Sequence, residues 1–253
     1  MNTPDRTAPV YDRIGSGYAS QRTTDPRWMA AIEEELGDAV RVVNVGAGTG
    51  SYESPRRAVV AVEPSRTMIG QRPAGAAPVV QAIAEQLPFP DASFDVATAV
   101  LTIHHWTDLE AGLRELRRVA ERQVILTFDP LALNDFWLHR DYLPRIPDVD
   151  AGRLPGAARI AQTLGELRTR PLAVPRDMRD GMLTAFWARP EAYLDPAVRA
   201  NMSVFDLMDP GEVDQAMARL RADLADGTWQ DRNADLVDLD SYDAGYQLLV
   251  AGS

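Results

Sequence analysis

The sequence predicts an α/β protein built on a doubly wound, mostly parallel sheet. Short runs of branched apolar residues alternate with segments of helical spacing from residue 42 onward, as strand–helix–strand units do. The first run, Val42-Val43-Asn44-Val45, leads straight into Gly46-Ala47-Gly48-Thr49-Gly50-Ser51. Three glycines alternating with small residues let the backbone turn sharply and lie against a ligand with no Cβ in the way. The second run, Val59 to Val62, stops at an acidic residue, Glu63. In a doubly wound sheet the loop and this carboxylate come side by side at the C-terminal strand edge, where a carboxylate accepts from a ribose diol. The pattern predicts a site for a nucleoside-bearing cofactor. A glycine-rich turn that binds nothing is the plain alternative.

The spacing narrows the choice. A dinucleotide fingerprint asks for Gly-x-Gly-x-x-Gly, but the third glycine comes one residue early at Gly50, and Ser51 stands where glycine is needed. No Gly-Lys-Ser/Thr follows, so a P-loop is excluded. Val45-Gly46-Ala47-Gly48-Thr49-Gly50 with the downstream Glu63-Pro64-Ser65 resembles motifs I and II of class I S-adenosylmethionine-dependent methyltransferases. That resemblance implies a seven-stranded Rossmann-like sheet with a helical cap and S-adenosylmethionine as cofactor. It places Gly46, Ala47, Gly48 and Gly50 around the cofactor's methionine and ribose, and Glu63, followed by Pro64, at the ribose diol.

Ahead of the loop, Asp25 is an N-cap with Pro26 at the first helical position, and Trp28, Met29, Ile32 and Leu36 share a helical face. The segment from Tyr11 resembles the pre-motif region of ubiquinone and menaquinone C-methyltransferase-like enzymes, which implies that Tyr18 and Arg22 close over the methionine end. An exposed helix with a solvated Arg22 is the competing reading. After Glu63 a helix starts at Ser65; the resemblance puts Met68 on the adenine, and a core methionine is the alternative. Residues 79–83 read as a third strand. The string Ala84-Glu85-Gln86-Leu87-Pro88-Phe89 up to Ser93-Phe94-Asp95 resembles the same family's connection and puts Ala84 and Glu85 at the adenine. Ile83 stands where many members carry an aspartate, which leaves adenine recognition to backbone groups and apolar contact.

Residues 96–101 form a fourth strand ending at Leu101, which the resemblance also places at the cofactor. Asp108 caps a helix carrying Leu109, Leu113, Leu116 and Val119 at helical spacing, and residues 123–130 are a fifth strand. About 131–170 reads as a cap inserted after this strand, with a helix over 156–167. A sixth strand at 172–175, a turn, an aromatic-bearing helix and a Pro break within 180–194, a helix from Asp209 through Leu224 and a last strand at 242–251 complete the chain. We read residues 1–253 as one domain, with a C-terminal helical elaboration over about 178–235.

Methyl transfer is an in-line displacement in which an enzyme chiefly supplies proximity and orientation, with a base where the acceptor must lose a proton. His104 and His105, just past the fourth strand, are the candidate bases, since imidazole titrates near neutral pH. Shaping the pocket is their alternative role. Adjacent histidines on a strand-like segment point apart, so the pair does not suggest a metal. His139 reads as a surface or substrate-pocket residue. The cap and C-terminal aromatics Phe136, Trp137, Tyr142, Phe186, Trp187 and Tyr193 suggest an apolar or planar acceptor pocket, with core packing as the plainer reading for most of them.

Composition bounds the rest. The formal net charge of −11 argues against broad nucleic-acid binding, which needs Lys and Arg to neutralise phosphates. Cysteine is absent, which rules out disulfides and thiol nucleophiles. No apolar run approaches membrane-spanning length and no signal-peptide core precedes the loop, so a cytoplasmic enzyme acting on a small organic acceptor is expected. A binding protein that keeps the cofactor site without turnover, and less readily a nicotinamide-dependent dehydrogenase, are the rivals.

Overall fold

The computed structural model describes residues 23–147 and 154–252. Tyr18 and Arg22, the expected contacts to the cofactor's methionine end, lie outside the described residues.

The described residues open with α1 (Pro26–Leu36), capped by the Asp25 carboxylate accepting from Arg27 N–H, with Pro26 at the first helical position. It then lays down β1 (Arg41–Val45), β2 (Ala58–Val62), the short α2 (Arg66–Gly70) and β3 (Val79–Val80). Next come β4 (Phe94–Val100), α3 (Leu109–Val119) and β5 (Ala120–Phe128). Beyond a 3₁₀ turn and a π-helical turn (Leu138–Tyr142) follow α4 (Ala157–Leu164), β6 (Arg168–Pro171) and β7 (Val174–Pro175). The last third holds α5 (Pro196–Arg199), α6 (Pro210–Asp226), α7 (Thr228–Arg232), β8 (Ser241–Tyr242) and β9 (Tyr246–Ala251).

Seven strands form one sheet in the order β3-β2-β1-β4-β5-β9-β6. β1 to β5 run parallel, and β9 enters antiparallel beside β5. The winding direction reverses between β1 and β4, so the crevice for a ligand opens at the carboxyl ends of those two strands. Alternate strand residues feed two cores. Val42, Val96, Val124 and Leu248 pack with α1 and the aromatic cap, while Val43, Ala97, Ile125 and Leu249 pack with α3 and α4. Burial on both faces is why these strands read as unbroken apolar runs.

Several sequence expectations need correcting. The third strand ends at Val80, and Ile83 is exposed, since nothing beyond the short β3 edge covers it. The sixth strand of the sheet is Arg168–Pro171, not residues 172–175. It is a polar edge strand whose Arg168 and Arg170 pair with Glu35 and Glu34 of α1, so a search for apolar runs passes over it. The Arg168 guanidinium beside Glu35 holds that carboxyl below its usual range. Val174–Pro175 pairs instead with Ser241–Tyr242 in a separate two-stranded ribbon. Residues 183–188 make successive turns, with Ala185, Trp187 and Arg189 N–H each bonding three residues back, rather than the predicted helix. The last strand starts at Tyr246 because Gly245 has φ +78° and lies so close to Ala132 that a Cβ would meet it at 2.4 Å.

The region read as a cap divides between the two cores. Phe136, Trp137 and Tyr142 join the α1 face, whereas Ile160 and Leu164 of α4 pack on the α3 face. Trp137 sits among Phe136, Tyr142, Tyr193 and Trp229 at ring distances of 5.3–6.0 Å, and its indole N–H donates to Trp187 O. Trp187 donates to Val174 O and Trp28 to Ala173 O, which ties this aromatic core to the ribbon and to α1. The indole N–H groups of Trp28, Trp137 and Trp187 are thus bonded to carbonyls, while that of Trp229 is buried without a partner among the described residues. Among the described residues no helix is long and apolar enough to cross a membrane.

Candidate functional site

At the switch point the glycine loop is held by the end of β2. Gly46 and Ala47 N–H both donate to Val62 O, at 2.9 and 3.0 Å, and Gly50 N–H closes the loop on Ala47 O. All three glycines have positive φ, which an L side chain adopts only at a cost. Gly46 is also the point of closest approach across the crevice: a Cβ there would stand 2.0 Å from Thr102 Oγ1, just past β4. The loop after β1 and the exit of β4 are thus in direct contact.

Glu63 ends β2 and is nearly buried. One carboxylate oxygen accepts from Gly48 N–H at 2.8 Å and the other from Ser65 N–H at 2.9 Å. Charged acceptors on backbone N–H groups make the stronger class of hydrogen bond, so this side chain is fixed in orientation. A carboxylate offers about four lone-pair sites on its two oxygens, which is the chemistry that accepts from the two hydroxyls of a ribose. Ser65 in turn caps α2 by accepting from Met68 N–H. Met68 is buried, and its terminal methyl lies 3.4 Å from where a Gly48 Cβ would be, so it packs directly against the loop. Pro64 O accepts from Gln81 Nε2, which ties the β2 exit to the chain after β3.

Ala84 is buried on the α3 face of the sheet. The carboxylate of Glu85 accepts from Thr107 and Asp108 N–H, at 2.7 and 3.1 Å, and so braces the turn that starts α3. That leaves the backbone of Glu85, not its side chain, available to a ligand.

The chain leaves β4 through Leu101, at φ +50°. A branched side chain at positive φ is uncommon and strained, and such strain gathers at functional sites. Leu101 N–H remains on Leu126 O while the backbone swings into a 3₁₀ turn, Ile103–His105. This turn corrects the expectation that His104 and His105 point apart. Their rings lie 3.9 Å centroid to centroid, because the segment is a tight turn and not a strand. His104 packs 5.6 Å from Phe128, which continues through Tyr246 to Trp28. Among the described residues, no group of three or more His, Asp or Glu is placed to hold a metal ion.

His139 is a further correction. It is 1% exposed in the π-helical turn, with Nδ1 2.7 Å from Leu133 O and its ring edge-on to Phe136. Burial pushes its pKa down to about 4, so it is a neutral core residue and not a surface group.

Two networks were not foreseen from sequence. Tyr52, at φ +61° two residues past Gly50, donates through its hydroxyl to Asp180 and accepts from Asp25 N–H. Its own N–H donates to Thr24 Oγ1, so the loop's exit, the start of α1 and the chain near 180 meet at one buried phenol. Burial pushes the Asp25 carboxyl up, but the Arg27 guanidinium and the Arg27 and Arg179 N–H groups hold it below its usual range. Beneath the loop, Glu53 and Arg72 form a buried ion pair at 2.7 Å, and Arg72 also donates to Gly48 O. Lying 19 residues apart on either side of β2, the pair has no spacing signal that one sequence could reveal.

A family model described as "Methyltransferase domain" matches residues 43–128, the span from the glycine-loop strand to the end of β5. The ubiquinone/menaquinone biosynthesis C-methyltransferase UbiE of Stenotrophomonas maltophilia is 35% identical over 108 residues, 36% of this chain and 42% of that protein. The demethylmenaquinone methyltransferase of Thermus thermophilus is 31% identical over 167 residues, 59% of this chain and 75% of that one. A crystal structure from Anabaena variabilis, described as a candidate methyltransferase from an antibiotic biosynthesis pathway, superimposes with a TM-score of 0.84 at 31% identity. It covers 92% of this chain and 99% of that one. The matches to the first curated relatives span about half of those relatives' length.

Proposed function

The chain belongs to the class I S-adenosylmethionine-dependent methyltransferases, and from that premise we propose that it methylates a small organic acceptor, quinone-like or a secondary metabolite. The observation that carries this reading is Glu63, locked between Gly48 and Ser65 N–H beside a loop whose alternate residues are glycines, at the switch point. These residues fit an adenosyl group: a fixed carboxylate for the ribose diol, glycines that let the backbone approach, and buried Met68 and Ala84 as apolar neighbours for adenine. The resemblance adds Tyr18 and Arg22 at the methionine end, and Leu101 and Pro64 as borders of the same crevice.

When bound, S-adenosylmethionine supplies an electrophilic methyl group. The chain's own part is to hold both reactants in line and keep water out. As the acceptor–carbon bond forms and the carbon–sulfur bond breaks, an O–H, N–H or C–H acceptor gives up a proton. His104 and His105, on the strained exit of β4, are the groups we assign to receive it. The quinone-biosynthesis and antibiotic-pathway names of the relatives support a quinone-like or secondary-metabolite acceptor, and the aromatic walls near His104 are compatible with it.

Calorimetric titration with S-adenosylhomocysteine, with NAD as parallel control and Glu63→Ala beside the wild type, tests the reading. Saturable binding of the adenosyl ligand alone, weakened in the variant, is the expected result. It is followed by an acceptor screen for a mass gain of one methyl. Binding of NAD alone would sink the proposal, and adenosyl binding with no methyl gain on any quinone-like or phenolic acceptor would leave a cofactor-binding protein without turnover.

A further inference from the structure

We propose that Glu53 and Arg72 are positioning residues that preset the glycine loop for its cofactor, an inference that rests on the adenosyl reading of the site. The Arg72 guanidinium makes four contacts at once. Nη2 reaches both Glu53 oxygens, at 2.7 and 2.8 Å, and Ala77 O at 3.0 Å, while Nη1 donates to Gly48 O at 3.2 Å. Glu53 is tied in further: Ala77 N–H donates to it at 3.2 Å, and the Asn44 side chain of β1 lies within 3.4 Å. Asn44 accepts in turn from Thr98 Oγ1 of β4, so the clamp is anchored in the two strands that flank the switch point.

The consequence falls on Gly48. Its carbonyl is held by Arg72 from below and its N–H is held by Glu63 from above, with φ at +52° between them. Two charged side chains therefore set the tilt of the peptide groups on either side of one residue. That tilt aims the N–H that orients Glu63. Gly50 adjoins the same pair, since a Cβ there would lie at contact distance, 3.4 Å, from both Arg72 Nη1 and Glu53 Oε2. The pair is almost fully buried, with side-chain exposures of 5% and 8%. A buried pair is poor evidence of a stability role, because desolvation offsets the attraction, whereas fixing one geometry is a role it can fill. Only arginine suits it. A planar fork of five N–H groups spans from Gly48 O to Glu53 and Ala77 O, and an ammonium is a single point that does not.

The test uses the full chain with S-adenosylhomocysteine as ligand, in wild type, Arg72→Lys and the double variant Glu53→Gln/Arg72→Gln. The double variant leaves no unpaired buried charge, so it guards against loss of folding in the single change. We expect both variants to melt within a few degrees of wild type. Both should bind the ligand about tenfold or more weakly, and both should show a shifted Gly48 amide resonance without ligand. Wild-type affinity together with an unmoved Gly48 amide would overturn the inference. So would a lowered melting temperature with affinity intact, which is what a structural role alone produces. If wild type itself fails to bind, the adenosyl reading falls, and the ligand-free Gly48 resonance still decides whether the clamp sets the loop.

Discussion

Replacing Gly46 with alanine probes the contact that joins the two halves of the site. The added Cβ would stand 2.0 Å from Thr102 Oγ1 and 2.8 Å from both Thr102 Cβ and Cγ2. Thr102 is buried at the end of β4, so it has little room to retreat. Two costs add. Holding alanine in the left-handed region at φ +72° costs about 1–2 kcal/mol. Overpacking a tight contact costs about 1–3 kcal/mol more. A central value of about 3.5 kcal/mol lowers the melting temperature of a chain this size by about 7–14 °C. Because relief comes from swinging the loop away from β4, affinity for S-adenosylhomocysteine should fall about tenfold or more as well. Thermal unfolding and calorimetry on Gly46→Ala measure both. Adding Thr102→Ala removes the hydroxyl and the methyl but neither the residual Cβ contact nor the strain, so the double variant should recover part of the loss. A Gly46→Ala protein with wild-type melting temperature and wild-type affinity would refute the argument that β1 and β4 touch through this residue.

Other expectations follow from particular side chains. His139 has its pKa lowered to about 4 by burial, so between pH 6.5 and 4 the unfolded chain binds the extra proton and stability falls as pH falls. The loss attributable to it is about 3 kcal/mol at pH 4 relative to pH 7, and urea unfolding of His139→Phe across that range should show a shallower acid slope. Asp95 is held down to about 2 by Arg41 and Val40 N–H and the Arg41 guanidinium, so its contribution is complete above the ordinary carboxyl range and lost on acidification towards pH 2. Asp95→Asn should melt lower than wild type at pH 7 and converge with it in acid. Gly112 lies within α3 where a Cβ would meet Trp106 Cε3 at 2.4 Å. Alanine there, which ordinarily stabilises a helix interior by about 1 kcal/mol, should instead leave the melting temperature unchanged or lower and shift the tryptophan emission. Once an acceptor is in hand, His104→Gln and His105→Gln separate base from wall: loss of the acid limb of the rate–pH profile in one variant assigns the base, and an unchanged profile in both refutes the role.

What the sequence made legible, and what it hid, follows from how far each signal travels along the chain. The glycine loop, Glu63 and the caps at Asp25 and Asp108 are local: each needs a few neighbouring residues to be recognised, and each stands where the spacing placed it. Buried parallel strands are equally plain, because both faces demand apolar side chains. Legibility fails where a residue's role depends on a distant partner. β6 is Arg-Thr-Arg-Pro, polar enough to pass for a loop until α1 supplies Glu34 and Glu35 across 133–136 residues. His139 looks exposed in a segment of mixed polarity until Leu133 O and the aromatic core close around it. The Glu53–Arg72 clamp is the sharpest instance, since it governs the most recognisable motif in the chain and yet neither residue belongs to that motif's spacing. The glycines give the loop permission to adopt positive φ, but permission is not selection. A flexible loop that must be ordered by its ligand binds more weakly than one already set. The side chains that do the setting here come from outside the signature, which is where differences in cofactor affinity among chains sharing one glycine loop are to be sought.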